Sequence, residues 1–447
     1  MSSRMHRREF LRSGVLAGTG ISLAGLAAQT EAVAQAKNPR LKRRGSPNEK
    51  LNIAIIGVGN RGKANTKGVK SENIVALCDV DARFLGEAAK QFPKAKQYKD
   101  WRKLLEQKDI DAVVITTTDH THALIAVAAM NLGMHVYCEK PLAHSVHEAR
   151  VVRETYMKHK DKIATQMGTQ IHATENYRRM VELIKGGAIG KVTEAHVWCG
   201  RVGPGGDWPG PAHAVPDALD WDLWIGPAPM RHYHPDVLPH CLKWNRYWDY
   251  GQGTIGDMGS HLIDMAFWAL DLRQPTTVEG RGSAVHPVTC PKWLTATWEH
   301  PARGDRGPVK LMWYDAEKRP KSPPGIDLTQ WGIGTMFVGD KGKLVADYGK
   351  HYLLPKKDYR DFVAPKKQDE IPASKGHYNE WIHACKTGAP TLCNFDYSGM
   401  LIEHNLLANV AYRVGKKLKW DPDALKATGC PQADQYIRRE YRKGWTI

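Results

Sequence analysis

The chain has 447 residues and a formal net charge of +17. Residues 1–50 hold ten Lys/Arg against three Asp/Glu, so +7 sits there and +10 on the remainder. No basic stripe with interleaved aromatics accompanies that charge, which argues against a nucleic-acid partner and leaves attraction to acidic glycans or cell-envelope polymers as its use. The length allows about two domains after a leader. Eight cysteines include no C-x-x-C pair. Cys78, Cys138 and Cys199 lie in or beside apolar runs, where a free thiol packs as a small hydrophobe, so no disulfide framework is expected.

Residues 1–36 read as an export signal. Arg7-Arg8-Glu9-Phe10-Leu11 resembles a twin-arginine motif, Gly14 to Ala28 is weakly apolar, and Ala32-Val33-Ala34 fits an A-x-A cleavage site. The apolar run is too short and glycine-rich for a permanent span. Residues 37–50 form a basic linker. The expectation is a protein exported by the twin-arginine machinery to the periplasm or beyond. Reduced cysteines agree with folding in the cytoplasm before export.

Leu51 to Gly62 is the organising stretch. Leu-Asn-Ile-Ala-Ile-Ile is a buried strand of the parallel-sheet kind. It runs into Gly57, Gly59 and Gly62 at G-x-G-x-x-G spacing. The first glycine permits a tight turn, the second lets a pyrophosphate approach the backbone, and the third lets the next helix pack close. The helix N-terminus then offers N–H groups to phosphate. A second strand, Ile74 to Cys78, ends at Asp79, where a carboxylate accepts from a ribose 2′-hydroxyl and repels a 2′-phosphate. This favours NAD over NADP.

Helices are expected over Ala82 to Gln91, Trp101 to Gln107 and Thr121 to Leu132. Strands are expected over Asp111 to Thr116 and His135 to Cys138. The alternation predicts a parallel, right-handed wound sheet with its ligand at the carboxyl ends of the strands. Asp79, the turn from Thr116 to His122 and Glu139-Lys140-Pro141 fall there. Beyond residue 170, strands Val192 to Gly200, Thr276 to Val285, Leu294 to Glu299, Val309 to Tyr314, Thr335 to Val338 and Leu344 to Tyr348 follow with few interposed helices. They predict an antiparallel sheet whose open face a second copy covers. The chain thus divides into a Rossmann domain over 51–170 and an α/β domain over 171–447.

Two features of the second part stand out. Residues 198–250 carry Trp198, Trp208, Trp221, Trp224, Trp244 and Trp248. These are either loop-packing rings, the commoner use, or the walls of a carbohydrate cleft. His213, His232, His234 and His240 show no ligand spacing. Asp257, His261 and Asp264 share a face at the start of a helix running to Leu270, with Asp257 also a candidate cap. A neutral imidazole between carboxylates is a proton acceptor near neutral pH. The same three could be metal ligands, but no metal is expected, since hydride transfer needs none.

The glycine fingerprint, Asp79, Thr117-Thr118-Asp119-His120-Thr121-His122, Glu139-Lys140-Pro141, Gln166-Met167-Gly168-Thr169-Gln170 and Gly256-Asp257-Met258-Gly259-Ser260-His261 together resemble the Gfo/Idh/MocA oxidoreductases. The tail, with Asn394-Phe395-Asp396-Tyr397 and Arg438-Arg439-Glu440-Tyr441, is similar to exported members. The resemblance implies an N-terminal Rossmann domain, a C-terminal α/β domain on a large open antiparallel sheet, NAD or NADP, and a sugar or cyclitol substrate. It implies a cofactor site from Gly57, Gly59, Asn60, Arg61, Gly62, Asp79, Thr117, Asp119, His122, Glu139 and Lys140. It implies a substrate site from Lys140, Gln170, Asp257 and His261, often with a cis peptide before the proline after the lysine. In that scheme Lys140 polarises the reacting oxygen, His261 is the acid–base and Asp257 orients it. A homodimer or homotetramer and a tightly held NAD complete the expectation. An NAD-dependent glycoside hydrolase or lyase, and a non-catalytic cofactor-binding protein, are the alternatives.

Overall fold

The computed structural model describes residues 49–238, 240–363 and 371–447. The twin-arginine stretch and most of the linker lie outside them.

The first sheet is six-stranded and parallel, in the order β3-β2-β1-β4-β5-β6. Its strands are β1 (Asn52–Ile56), β2 (Asn73–Cys78), β3 (Lys96–Tyr98), β4 (Ala112–Ile115), β5 (His135–Cys138) and β6 (Thr165–Met167). β1 lies at the centre because Ile53, Ala54, Ile55 and Ile56 are apolar on both faces and almost wholly buried. It pairs β2 on one edge and β4 on the other. The intervening helices are α1 (Arg61–Val69), α2 (Ala82–Gln91), α3 (Trp101–Leu104), α4 (Asp119–Asn131) and α5 (Val146–His159). Asp81 caps α2 by accepting from the Arg83 N–H, and Ser145 with Glu148 makes a capping box on α5. β3 and β6 escape a reading by pattern, being three residues each and largely polar in sequence.

The second sheet has nine strands in the order β13-β12-β11-β7-β10-β9-β8-β14-β15. They are β7 (Val192–Cys199), β8 (Thr277–Gly282), β9 (Leu294–His300), β10 (Val309–Asp315), β11 (Ile333–Gly339), β12 (Lys343–Ala346), β13 (His351–Leu354), β14 (Leu418–Asp421) and β15 (Lys426–Thr428). The sheet is mixed, not purely antiparallel, because β7 and β10 run parallel. Parallel neighbours need a crossover. The chain from Gly200 to Pro308 supplies it, carrying α6's successors: the short helices α7 (Trp221–Ile225) and α8 (Cys241–Trp244), then α9 (Gly253–Ala269), β8 and β9. Helix α6 (Glu175–Lys185) precedes β7.

The two sheets share helices. α10 (His377–Thr387) returns to the first sheet, where Trp381, Ile382 and Cys385 pack with Ile53, Ile55, Val114 and Tyr137. α11 (Phe395–Val414) packs along α5. There Arg150 grips the fully buried Glu403 with two bonds of 2.8 and 3.0 Å, a forked geometry that compensates the desolvated carboxylate. The eight cysteines are free.

Burial of histidine sets the acid response. His120 and His377 are held down at about 3 and His404 at about 4, chiefly by burial. His122, His144 and His300 are also lowered by burial. The unfolded chain protonates these six near pH 6.5. Between pH 4 and 6.5 it therefore binds protons that the fold does not, so stability rises with pH there and falls on acidification. Buried Asp119, Asp315 and Glu403 are shifted up by burial and oppose the trend, but they are fewer. Thermal unfolding at pH 7, 6 and 5 should show a midpoint that falls at each step. A flat profile would contradict the balance.

Candidate functional site

A cavity of about 600 Å³ opens at the carboxyl ends of β1, β2, β4 and β5. Its floor is the glycine turn. Gly57 has φ +85°, and a Cβ there would meet the Thr116 carbonyl oxygen at 2.5 Å. A Cβ on Gly62 would meet the Gly57 oxygen at 2.2 Å, so α1 starts against the turn as the spacing demands. Gly59 lines the cavity, and a Cβ on it would lie 2.6 Å from the ring of Phe84, which lines the cavity too. Asn60, in the cap position of α1, gives no side-chain bond to the first turn. The Gly62 and Lys63 amides donate to the Gly59 and Asn60 oxygens at 2.7 and 3.2 Å, so what the helix start offers a phosphate is chiefly the positive end of its dipole.

Asp79 accepts from the Val58, Gly59 and Asp81 N–H groups at 2.9, 3.2 and 3.0 Å. It thus fixes the glycine turn to the end of β2. A carboxylate has about four acceptor positions, so one remains for a ribose hydroxyl. Burial raises its pKa. Thr117 after β4 and the exposed Arg61 at the start of α1 line the cavity. His122 ties two turns together, with its ring nitrogens 2.8 Å from the Pro141 oxygen and 3.0 Å from the Thr117 oxygen. Asp119 opens the first turn of α4. It is buried, shifted well up by that burial, and faces the charge of Lys140.

Glu139 is a hub. One of its oxygens accepts from Arg61 Nε at 3.1 Å, Asn65 Nδ2 at 2.9 Å and Gln170 Nε2 at 3.0 Å. The next residue, Lys140, precedes a cis bond to Pro141. Its Nζ donates to the Asp257 carboxylate and to the Asp257 carbonyl at 3.3 Å. Arg201 donates to the other Asp257 oxygen. Burial works to raise the Asp257 pKa, but the two cations hold it down at about 2. Lys140 stays raised despite burial, because Asp257 faces it.

Two expectations about α9 are corrected here. The helix begins at Gly253 after Gln252, so Asp257 is a turn inside and does not cap it. Nor does Asp257 hydrogen-bond His261, because Lys140 and Arg201 engage its oxygens. His261 opens on the cavity with Nδ1 buried and unpartnered. Burial, then the Lys140 charge, lower it to about 3, against a partial rise from Asp257. The ring is neutral. Asp264 turns away, accepting from Tyr397 at 2.6 Å with His172 Nδ1 at 2.8 Å. Among the described residues no group of three His, Cys, Asp or Glu is placed to hold a metal.

Sequence reasoning missed Arg201, which follows β7 with no motif spacing to mark it. It also missed Tyr348, whose buried hydroxyl has no partner and whose ring centroid lies 6.5 Å from His261. Of the six tryptophans, Trp224 and Trp244 reach the cavity. Trp221 stacks on Trp224 at 4.7 Å, Trp208 packs on Tyr247 at 4.7 Å, and Trp198 packs beside Trp331. His213, His232, His234 and His240 do not line this cavity. A second cavity of about 470 Å³ lies at the opposite strand ends, near Asp111 and His135.

The arrangement sets a buried ammonium and a neutral imidazole on the same cavity as the glycine turn. Residues 51–167 match the oxidoreductase family NAD-binding Rossmann fold of Gfo/Idh/MocA proteins. Residues 196–303 match that family's C-terminal alpha/beta domain. Inositol 2-dehydrogenase of Salmonella typhimurium is 33% identical over 153 residues, 33% of this chain and 45% of that protein. The chain thus spans under half the length of that relative. A glycosyl hydrolase family 109 protein of Stenotrophomonas maltophilia is 32% identical over 210 residues, 42% of this chain and 40% of that protein. The structure of levoglucosan dehydrogenase with NADH and levoglucosan superposes with TM-score 0.58 at 18% identity, covering 83% of this chain and 99% of that one.

The shared carboxylate gives a direct test. In Asp257→Asn, Lys140 and Arg201 lose their common anion, so the Lys140 pKa should fall. An amine-selective acylating reagent at pH 8 should then label Lys140 much faster than in the parent protein, read by peptide mass spectrometry. Equal labelling would show that Asp257 does not set the charge of Lys140.

Proposed function

From the premise that the chain belongs to the Gfo/Idh/MocA oxidoreductase family, we propose that it interconverts a carbinol and a carbonyl of a sugar, cyclitol or sugar derivative, with NAD as the hydride acceptor or NADH as the donor. The observation that carries this reading is the Lys140–Asp257–Arg201 cluster with His261, opening on the same cavity as the glycine turn.

The residues present fit a dinucleotide. Gly57 and Gly62 leave no room for side chains, α1 starts at the glycine turn with the positive end of its dipole there, and Asp79 keeps an acceptor position for a ribose hydroxyl. When bound, NAD supplies the acceptor or donor of hydride. Lys140 uses two of its three N–H donors on Asp257. Its third is free to hold the substrate oxygen and stabilise alkoxide character there. Arg201 keeps Asp257 ionised and in place. His261, neutral before substrate arrives, takes the hydroxyl proton as that hydroxyl grows acidic. Its low basicity keeps it from holding a proton beforehand. Arg61, Asn65 and Gln170 fix Glu139, and Glu139 fixes the turn from which Lys140 projects. Trp224 and Trp244 give the cavity aromatic edges suited to a sugar ring.

A second reading has its own support in the family 109 relative. There the same oxidation would be transient, followed by elimination of an aglycone and return of the hydride, with no net NADH. Export by the twin-arginine route, read from Arg7-Arg8 and Ala32-Val33-Ala34, favours a cofactor carried already bound and restored within the site.

Lys140→Ala and His261→Ala should each lower turnover by about a hundredfold or more, with NAD binding retained. The measurement is turnover of a panel of sugars, cyclitols and glycosides by the NAD-loaded protein, following both NADH and released aglycone. Net NADH identifies the dehydrogenase, and aglycone without NADH the second reading. Near-normal activity of both variants would overturn the site. Titration calorimetry should show tighter binding of NAD than of NADP, because Asp79 repels a 2′-phosphate. Equal binding would remove Asp79 from that role.

A further inference from the structure

The dinucleotide end of the cavity is roofed from the other domain. Residues 216–226 lie beyond β7 and reach the end of β2. The Ala82 N–H donates to the Ala218 oxygen at 2.8 Å and the Asp220 N–H to the Val80 oxygen at 2.9 Å, with a bridge between Asp81 and Leu219. Leu219, Leu223 and Trp224 from this stretch face the cavity opposite Asp79 and Phe84. Leu223 and Trp224 belong to α7, a helix of five residues, too short to hold its shape alone.

The C-terminal stretch holds it. Arg442 donates from Nε to the Gly226 oxygen at 3.0 Å, from Nη2 to the Asp222 oxygen at 2.9 Å, and from Nη1 to the Asp222 carboxylate. Its own N–H donates to the Pro227 oxygen at 2.9 Å. A guanidinium is thus seated against α7, adding to the Gly226 N–H bond already on the Asp222 oxygen and capping the Gly226 oxygen at the C-terminal end, where a cation is favoured. Arg439 anchors the same stretch, with Nε 2.7 Å from the buried Glu148 and Nη2 donating to the His120 oxygen. His120 in turn lies 3.1 Å from the Trp224 and Ile225 oxygens. Beyond, the Trp445 ring centroid is 6.4 Å from that of Trp101, a cavity residue, with Arg102 over Trp445 at 4.5 Å.

We propose that Arg439 and Arg442 are positioning residues that latch residues 219–224 over the dinucleotide and so set how fast the cofactor leaves. The proposal rests on the reading of this cavity as a dinucleotide site. Neither arginine lines the cavity, so each acts through the roof. For the nucleotide to leave, the roof must lift from Val80–Ala82, and the arginine contacts on α7 oppose that movement.

The test loads the full chain with NADH, adds excess NAD, and follows loss of bound NADH fluorescence, with the melting temperature of every variant measured alongside. Arg442→Ala should release NADH at least tenfold faster. Arg442→Lys, which keeps the ion pair to Asp222 but loses the fork onto the carbonyls, should fall between. Asp222→Ala should release nearly as slowly as the parent, because that carboxylate is 65% exposed and the ion pair contributes little. Arg439→Gln tests the anchor while leaving Glu148 a donor. A merely structural part would lower melting temperatures without ordering the release rates in this way. Folded Arg442→Ala that releases NADH within twofold of the parent overturns the latch. A parent protein that holds no NADH overturns the dinucleotide reading itself, and the latch with it.

Discussion

The site depends on one buried carboxylate shared by two cations. Lys140 comes from the end of β5, Arg201 from the end of β7, and Asp257 from α9. Two sheets that otherwise meet through helices are joined here by charge. Removing these groups from water is costly, and their mutual attraction offsets that only when each is fully engaged. Asp257 is engaged on both oxygens, which explains why it stays ionised at this depth. It also explains why His261, one turn further along α9, has no carboxylate hydrogen-bonded to it, so that burial and the Lys140 charge keep it neutral. The charge pattern therefore separates roles: the ammonium carries its charge and the imidazole starts without a proton.

Glu139 extends the same logic into the first domain. It gathers Arg61 from α1, Asn65 from the same helix and Gln170 after β6. The glycine turn and the lysine turn are thus held by a common carboxylate. A change at either turn is felt at the other. Gly168 is part of this packing, since a Cβ on it would lie 2.7 Å from the Glu139 carboxyl carbon.

Much of this was legible in the sequence, and the reasons are physical. β1, β2, β4 and β5 announce themselves because a strand buried on both faces is apolar throughout, and α2 begins at Ala82 where the Asp81 cap puts it. The glycines, Asp79 and Lys140 are local to strand ends, His261 follows Asp257 at four-residue spacing on α9, and each carries spacing that chemistry demands. What was hidden is non-local. Arg201 meets Asp257 across 56 residues and Arg439 meets His120 across 319. No periodicity encodes such a meeting. The parallel pairing of β7 with β10 was hidden likewise, since a strand's composition does not state its neighbour's direction. The tryptophans between 198 and 250 were ambiguous because a ring that packs a loop and a ring that walls a cavity are the same residue. The second sheet's membership was incomplete for a simpler reason: β13, β14 and β15 are three or four residues long.

The position of Arg439 and Arg442 along the chain has a consequence for assembly. The glycine turn, Asp79 and Lys140 are made early, while Glu148 and Asp222 wait 291 and 220 residues for their arginines. A ribosome has exposed the whole first sheet before α10 can cover its Ile53 and Val114 face. Closing loops of that length is slow, and domains form as their chains emerge. Translation order therefore makes the arginine contacts on residues 219–226 the last part of this cavity's surroundings to be completed.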